Sequence, residues 1–134
     1  MVEFHPACEA WAEQLDQSDA EALLAAVRVL RDGGPNLGRP LVDSVKGSRH
    51  SNIKELRPGS TARTEIRVLF AFDKERQAVL LVGGDKSENW SSWYKTNVPI
   101  ADDRLDEHQT WISEGRQAKT KGTPTRRAAK GKKG

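Results

Sequence analysis

Arg63-Thr64-Glu65-Ile66-Arg67-Val68-Leu69-Phe70-Ala71-Phe72, followed by Asp73-Lys74-Glu75-Arg76 and then Gln77-Ala78-Val79-Leu80-Leu81-Val82-Gly83-Gly84, is the stretch that decides the fold. Its first run is β-branched and aromatic. Four polar residues then supply a turn, and an apolar run closed by two glycines returns the chain. A shorter run, Asn52–Arg57, precedes it and ends at Pro58-Gly59-Ser60. Three strand-like runs with short connections predict an antiparallel meander.

Outward from this meander the apolar period changes to that of helices. Cys8, Trp11, Ala12 and Leu15 share one helical face behind Pro6, a residue suited to a first turn. Ser18-Asp19-Ala20-Glu21 has the pattern of a capping box, and Leu23, Ala26, Val27 and Leu30 form a second stripe that Gly33-Gly34-Pro35 stops. These segments predict a helical hairpin, preceded by a short strand at Val2–His5. Residues 35–51 are rich in Pro, Gly and Ser and read as a long loop. A third helix is expected from about Ser91, interrupted before Pro99 and ending at Gly115, with Ala101, Leu105, His108 and Ile112 on one face. The expected fold is α+β: an antiparallel sheet of an N-terminal strand plus the meander, a helical hairpin and a C-terminal helix, with the helices on one face of the sheet.

At 134 residues, one domain is expected over 1–115. The net charge of +3 and pI of 9.2 mislead. Eight of the 22 Lys+Arg residues fall in 116–134, which holds no acid, so residues 1–115 set 14 bases against all 19 acids, about −5. Without an apolar residue larger than alanine, that tail cannot offset its ordering entropy and is expected to be disordered. No apolar run approaches a membrane span, and Met1–Pro6 lacks the charged start and apolar core of a signal peptide. A single Cys8 fits a reducing cytoplasm and is most simply a core residue. His5, His50 and His108 are too scattered for a zinc site, so no metal or cofactor is expected, and there is neither a phosphate-binding glycine loop nor a nucleophile elbow.

Charge is segregated along the chain. Residues 6–33 carry six acids and two bases, whereas Arg39 to Arg67 holds seven bases (Arg39, Lys46, Arg49, Lys54, Arg57, Arg63, Arg67) against three acids. A basic strip on an otherwise acidic domain is a candidate anion-binding face. Strand alternation puts Glu65, Arg67, Leu69 and Ala71 on one face, and an inward Leu56 turns Glu55 and Arg57 outward. Arg57 and Arg67 on adjacent strands can converge on one phosphate, since each guanidinium is a fork of donors matched to phosphate oxygens. The alternative is a set of cross-strand ion pairs on a solvated face. Lys86 falls at a strand end, with Trp90, Trp93 and Tyr94 beyond it. Packing on the sheet edge is the simpler reading of Trp90 and Trp93, while Tyr94 can stack on a base or bond a phosphate. His50, beside Arg49, is a better candidate than His108, which lies on an apolar helix face. Asp102-Asp103 and Asp106-Glu107 read as a solvated helix face.

Leu37-Gly38-Arg39-Pro40, Lys46-Gly47-Ser48-Arg49-His50, Lys54-Glu55-Leu56-Arg57, Arg67-Val68-Leu69-Phe70 and Gly84-Asp85-Lys86 with Trp93-Tyr94 together resemble the RelE/HigB-type toxins, and within them the phage-derived host-inhibition group. The resemblance spans Val2 to Glu114. It implies a small metal-independent ribonuclease of a bacterial type II toxin–antitoxin module, cutting mRNA on the ribosome in the cytoplasm and silenced by a helix-turn-helix antitoxin. By the same resemblance, Arg67 matches the strand arginine that stabilises the scissile phosphate and Arg57 the arginine of Glu-Leu-Arg. Lys54, Lys86 and Tyr94 match basic and aromatic positions of the same cleft. The chemistry needs cations for the transition-state charge, a base and an acid. Arg57 and Arg67 suit the first role, Glu55, His50 or a lysine the second, Tyr94 or Lys86 the third. Arg49, Lys46 and Arg63 join Lys54 and His50 as candidate substrate contacts. Two rival readings keep the scaffold and drop the chemistry: a ParE-like toxin that inhibits DNA gyrase by protein contact, and a degenerate toxin that binds only its antitoxin.

Overall fold

In a computed structural model the chain is described over residues 2–59, 64–87 and 89–115; the basic tail of 116–134 and Arg63 lie outside the described residues. The elements run β1 (Val2–Phe4), α1 (Pro6–Ala12), α2 (Gln17–Gly33), β2 (Val42–Ser44), β3 (Lys54–Leu56), β4 (Ile66–Phe72), β5 (Ala78–Asp85) and α3 (Trp90–Thr110), the last continued by a wider turn over Trp111–Gly115. The α+β class and the meander are as expected. The sheet, however, is mixed: its order is β1-β5-β4-β3-β2, and β1 lies parallel to β5 while the other pairs are antiparallel. β2 is an addition, a three-residue strand inside the expected loop, with Val42 opposite Leu56.

The helices do not share one face. The hairpin α1–α2 covers one side, burying Cys8, Leu23, Ala26 and Leu30 against Phe4, Leu56, Val68, Phe70 and Leu80. α3 covers the other, where Val98, Ala101 and Leu105 meet Ile53, Leu69, Ala71, Val79 and Leu81. A sheet covered on both sides accounts for the unbroken apolar runs of β4 and β5, which alternation alone would not produce. One residue of β5 is bulged: Leu69 opposes Val82 but Phe70 opposes Leu80. The bulge turns Leu81 and Val82 to the same side, and Arg104 of α3 donates to the Leu81 carbonyl at 2.8 Å.

Local chemistry fixes the ends. Asp16, not Ser18, caps α2 by accepting from the Asp19 amide at 2.9 Å, and Gly34 ends it with φ of 66°, a value that favours glycine. Pro99 lies within α3 and removes one amide donor, but Val98 and Ala101 on either side of it are anchored in the core and the helix continues. At the β4–β5 turn, Asp73 accepts from the amides of Glu75 and Gln77, and its other oxygen meets His108 Nε2 at 2.9 Å with both side chains fully buried. His108 is thus a satisfied interior residue that ties the C-terminal part of α3 to the hairpin. Cys8 is fully buried, and burial pushes its thiol up to about 12.

Gly83 and Gly84 admit an aromatic ring on each side of the sheet. A β-carbon on Gly83 would run into the Trp11 ring, and one on Gly84 into the Trp93 indole. Gly83→Ala and Gly84→Ala are each expected to destabilise the fold by about 1–3 kcal/mol through overpacking, measured by urea unfolding; stability equal to wild type in both would contradict this packing.

Candidate functional site

The meander register assembles the site. Antiparallel pairing places Glu55 opposite Asp43 on β2 and Leu69 on β4, and Arg67 opposite Gly84. Arg57, two residues beyond Glu55, continues on the same face, with its amide bonded to the Leu41 carbonyl at 2.8 Å. Glu55, Arg57 and Arg67 therefore point toward α3, and the first turns of α3 deliver Tyr94 on top of them.

Glu55 is the centre of this cluster. It does not face solvent as its neighbour Leu56 suggested; its side chain is only 3% exposed, because α3 roofs this side of the sheet. Oε1 accepts from Arg57 Nε at 3.0 Å, and Oε2 accepts from the Tyr94 hydroxyl. Arg67 Nε stands 4.0 Å from the same Oε2. Arg57 also reaches Asp43 at 3.1 Å, and Asp43 accepts in turn from Arg39 at 3.2 Å. The Ser44 amide, with Arg39 and Arg57, holds the Asp43 carboxyl below its ordinary value. Burial works against the Arg57 charge, but Glu55 and Asp43 outweigh it and raise its pKa.

Arg67 differs from Arg57 in what it lacks. Its side chain is 10% exposed, one terminal nitrogen donates to the Ile66 carbonyl at 2.8 Å, and the other is 3.8 Å from Glu65, beyond hydrogen-bond range. Its Nε is buried with no hydrogen-bond partner. A buried unmet donor costs about 1–3 kcal/mol, and the Glu55 carboxylate at 4.0 Å offsets it by charge alone, beyond hydrogen-bond range.

Lys86 is placed by Asp85, which closes the end of the β4–β5 hairpin by accepting from the Glu65 and Ser87 amides at 2.9 and 3.0 Å. Burial opposes the Asp85 charge, yet these amides hold its carboxyl below the usual range. Lys86 Nζ then lies 5.3 Å from the Tyr94 ring centre and 5.8 Å from that of Trp90. Beside Tyr94 opens a cleft of about 350 Å³ lined by Lys46, Ser91 and Lys95 among others.

Of the sequence candidates, the structure thus brings together Arg57, Arg67, Glu55, Tyr94, Lys86 and Lys46. Lys54 alternates onto the α1–α2 side with Leu56, away from them. Arg49 and His50 are engaged elsewhere: Arg49 pairs with Asp103 and Asp106 of α3, and His50 Nε2 meets Asp106 at 2.9 Å. The acids of α3 are therefore not merely solvated. Buried Asp102 holds the Ser48 hydroxyl and the Arg49 amide, fastening the loop before β3 across the helix. Trp93 packs over Gly84 as expected, but Trp90 is exposed. Asp43 and Asp85 join the site beyond the residues expected from sequence; Asp85 stands in the Gly-Asp-Lys motif, a local signal for it, whereas nothing local marks Asp43.

Tyr94 is the sole tyrosine of the chain, so its ionisation can be read directly. Burial, then the hydrogen bond and charge of Glu55, push its phenol well above its ordinary value, only partly opposed by Arg67 and Arg57. Folding raises this pKa, so the stability linked to it is complete below about pH 10 and is lost as pH rises through the native value. Absorbance titration at 295 nm is expected to show no phenolate near pH 10 in the native protein and a normal transition in urea. Glu55→Gln is expected to move the native transition downward; a native midpoint at the ordinary value would contradict the Tyr94–Glu55 contact.

Residues 10–106 match the family described as "Phage derived protein Gp49-like (DUF891)". Two proteins of Mycobacterium tuberculosis (strain ATCC 25618 / H37Rv) are similar in sequence. "Putative toxin HigB2" is 52% identical over 99 residues, covering 74% of this chain and 49% of that protein. "Putative toxin HigB3" is 47% identical over 108 residues, covering 81% of this chain and 90% of that protein. The chain thus spans about half the length of the first relative and most of the second. The resemblance to HigB-type toxins drawn from the motifs holds, and the chain belongs to the Gp49-like family.

Proposed function

We propose that this protein is the toxin of a bacterial type II toxin–antitoxin module, a metal-independent endoribonuclease that cleaves mRNA on the ribosome in the cytoplasm and is held inactive by a helix-turn-helix antitoxin. Similarity to two proteins named as toxins supports the first part. The observation that carries the chemistry is the buried Arg67 guanidinium with an unmet Nε, within 4.0 Å of a carboxylate that also holds Arg57 and Tyr94.

RNA carries its own nucleophile. The 2′-hydroxyl attacks the adjacent phosphorus, its proton passes to a base, the P–O5′ bond breaks, and the 5′-oxygen takes a proton from an acid. The products are a 2′,3′-cyclic phosphate and a 5′-hydroxyl. Arg67 and Arg57, aimed from adjacent strands, suit the extra negative charge of the pentacoordinate transition state. The Glu55 carboxylate serves as base. Tyr94, whose phenol is held protonated by its surroundings, serves as proton donor once the phosphate draws the arginines off Glu55. Lys86 adds a cation at the rim.

The test is primer extension on a reporter mRNA after brief induction in a bacterial host. Wild type is expected to give discrete cuts within the translated frame that vanish when translation is blocked. Arg67→Ala is expected to reduce them by about 10²–10³-fold, the range for loss of one transition-state donor, while the variant still binds its antitoxin. Growth arrest with intact mRNA would instead favour a protein target such as gyrase, and full toxicity of both Arg67→Ala and Arg57→Ala would reject this face as the site.

A further inference from the structure

Among the described residues three large apolar side chains are prominently exposed: Leu24 and Val29 on α2, and Trp90 at the start of α3. Singly exposed apolar residues are ordinary. Trp90 is set apart by its company. It is 63% exposed, its ring meets Tyr94 edge-on at 6.4 Å, and Lys86 Nζ lies within 6 Å of both ring centres. An ammonium within this distance is attracted to the face of each ring. Lys46 and Lys95 line the cleft beside Tyr94. The result is an indole face open to solvent, next to the reacting groups and flanked by cations.

We infer that Trp90 is a stacking platform for a base of single-stranded RNA next to the scissile phosphate, with Lys86 and the cleft lysines tracking the backbone; the inference rests on the nuclease reading above. Single-stranded nucleic acid is held by this combination because every base presents a π-face and every linkage a negative charge. Packing on the sheet edge, the simpler reading of Trp90 from sequence, is met by Trp93 instead, which fills the space over Gly84. Trp90 is thus a substrate-binding residue rather than part of the core.

The test uses the full chain and a short fluorescein-labelled 2′-O-methyl oligonucleotide, which cannot be cleaved, so binding is read apart from chemistry. Trp90→Ala is expected to weaken binding at least about fivefold, the lower end of one base stack, and Trp90→Phe, which keeps a ring, to restore most of it. Unfolding by urea is expected to be unchanged in both, given the exposure of the side chain. Wild type that does not bind the oligonucleotide, or Trp90→Ala that binds as wild type does, would overturn the inference. So would a Trp90→Ala variant that keeps the oligonucleotide but loses the antitoxin, since the indole would then be a protein contact. Failure of the nuclease reading looks different: wild type would bind and Trp90→Ala would not, yet primer extension would find no cuts.

Discussion

A carboxylate almost wholly out of water is among the more expensive things a fold can hold, and Glu55 is held that way. It persists because Arg57 and the Tyr94 hydroxyl bond its two oxygens and Arg67 stands close by. The dependence runs both ways. Without Glu55, Arg57 would keep Asp43, but the carboxylate that Arg57, Arg67 and Tyr94 share would be gone. With it, cations from β3 and β4 and a phenol from α3 are drawn to one place. For the proposed nuclease this is the preorganisation that electrostatic catalysis requires, because little reorganisation is left for the reaction itself.

The rest of the architecture keeps α3 seated on this carboxylate. Near its first turns the helix is held through Tyr94 and through Trp93 over Gly84. Further along, the Asp73–His108 pair joins it to the β4–β5 turn. Between these anchors, Asp102 and Asp106 fasten the loop that leads into β3, and Arg104 meets the bulged part of β5. Arg49 chiefly, with His50, holds the Asp106 carboxyl below its ordinary value. Polar contacts thus position the helix and apolar ones hold it down. Arg49 and His50 support the site from outside rather than joining it.

Much of this was legible in the residues, and the boundary between what was and what was not is physical. Hairpin turns, apolar periods and the Gly33-Gly34-Pro35 stop are local signals, so the meander and the helical hairpin could be read directly. The shared face of Arg57 and Arg67 follows from alternation plus the hairpin register. Long-range pairing leaves no such local mark. The parallel match of β1 with β5, the three-residue β2 and the covering of both sheet faces depend on partners distant in sequence. The same limit explains Glu55. An inward Leu56 implies an outward Glu55 only if one face is wet, and α3 makes it dry. The unbroken apolar run Ala78–Val82 was the available hint that the sheet is buried on both sides. Asp102 and Asp106 looked solvated because their partners, Ser48, Arg49 and His50, lie some fifty residues away.

The proposed cleavage of RNA by this cluster runs through the substrate's own 2′-hydroxyl, which fixes the chemistry of the new ends. Purified protein is added to ribosomes programmed with an end-labelled mRNA, and the new 3′ terminus is identified. The expected result is a cut leaving a 2′,3′-cyclic phosphate, and its loss in Glu55→Gln. Intact mRNA, or a cut leaving a 3′-hydroxyl, would contradict it.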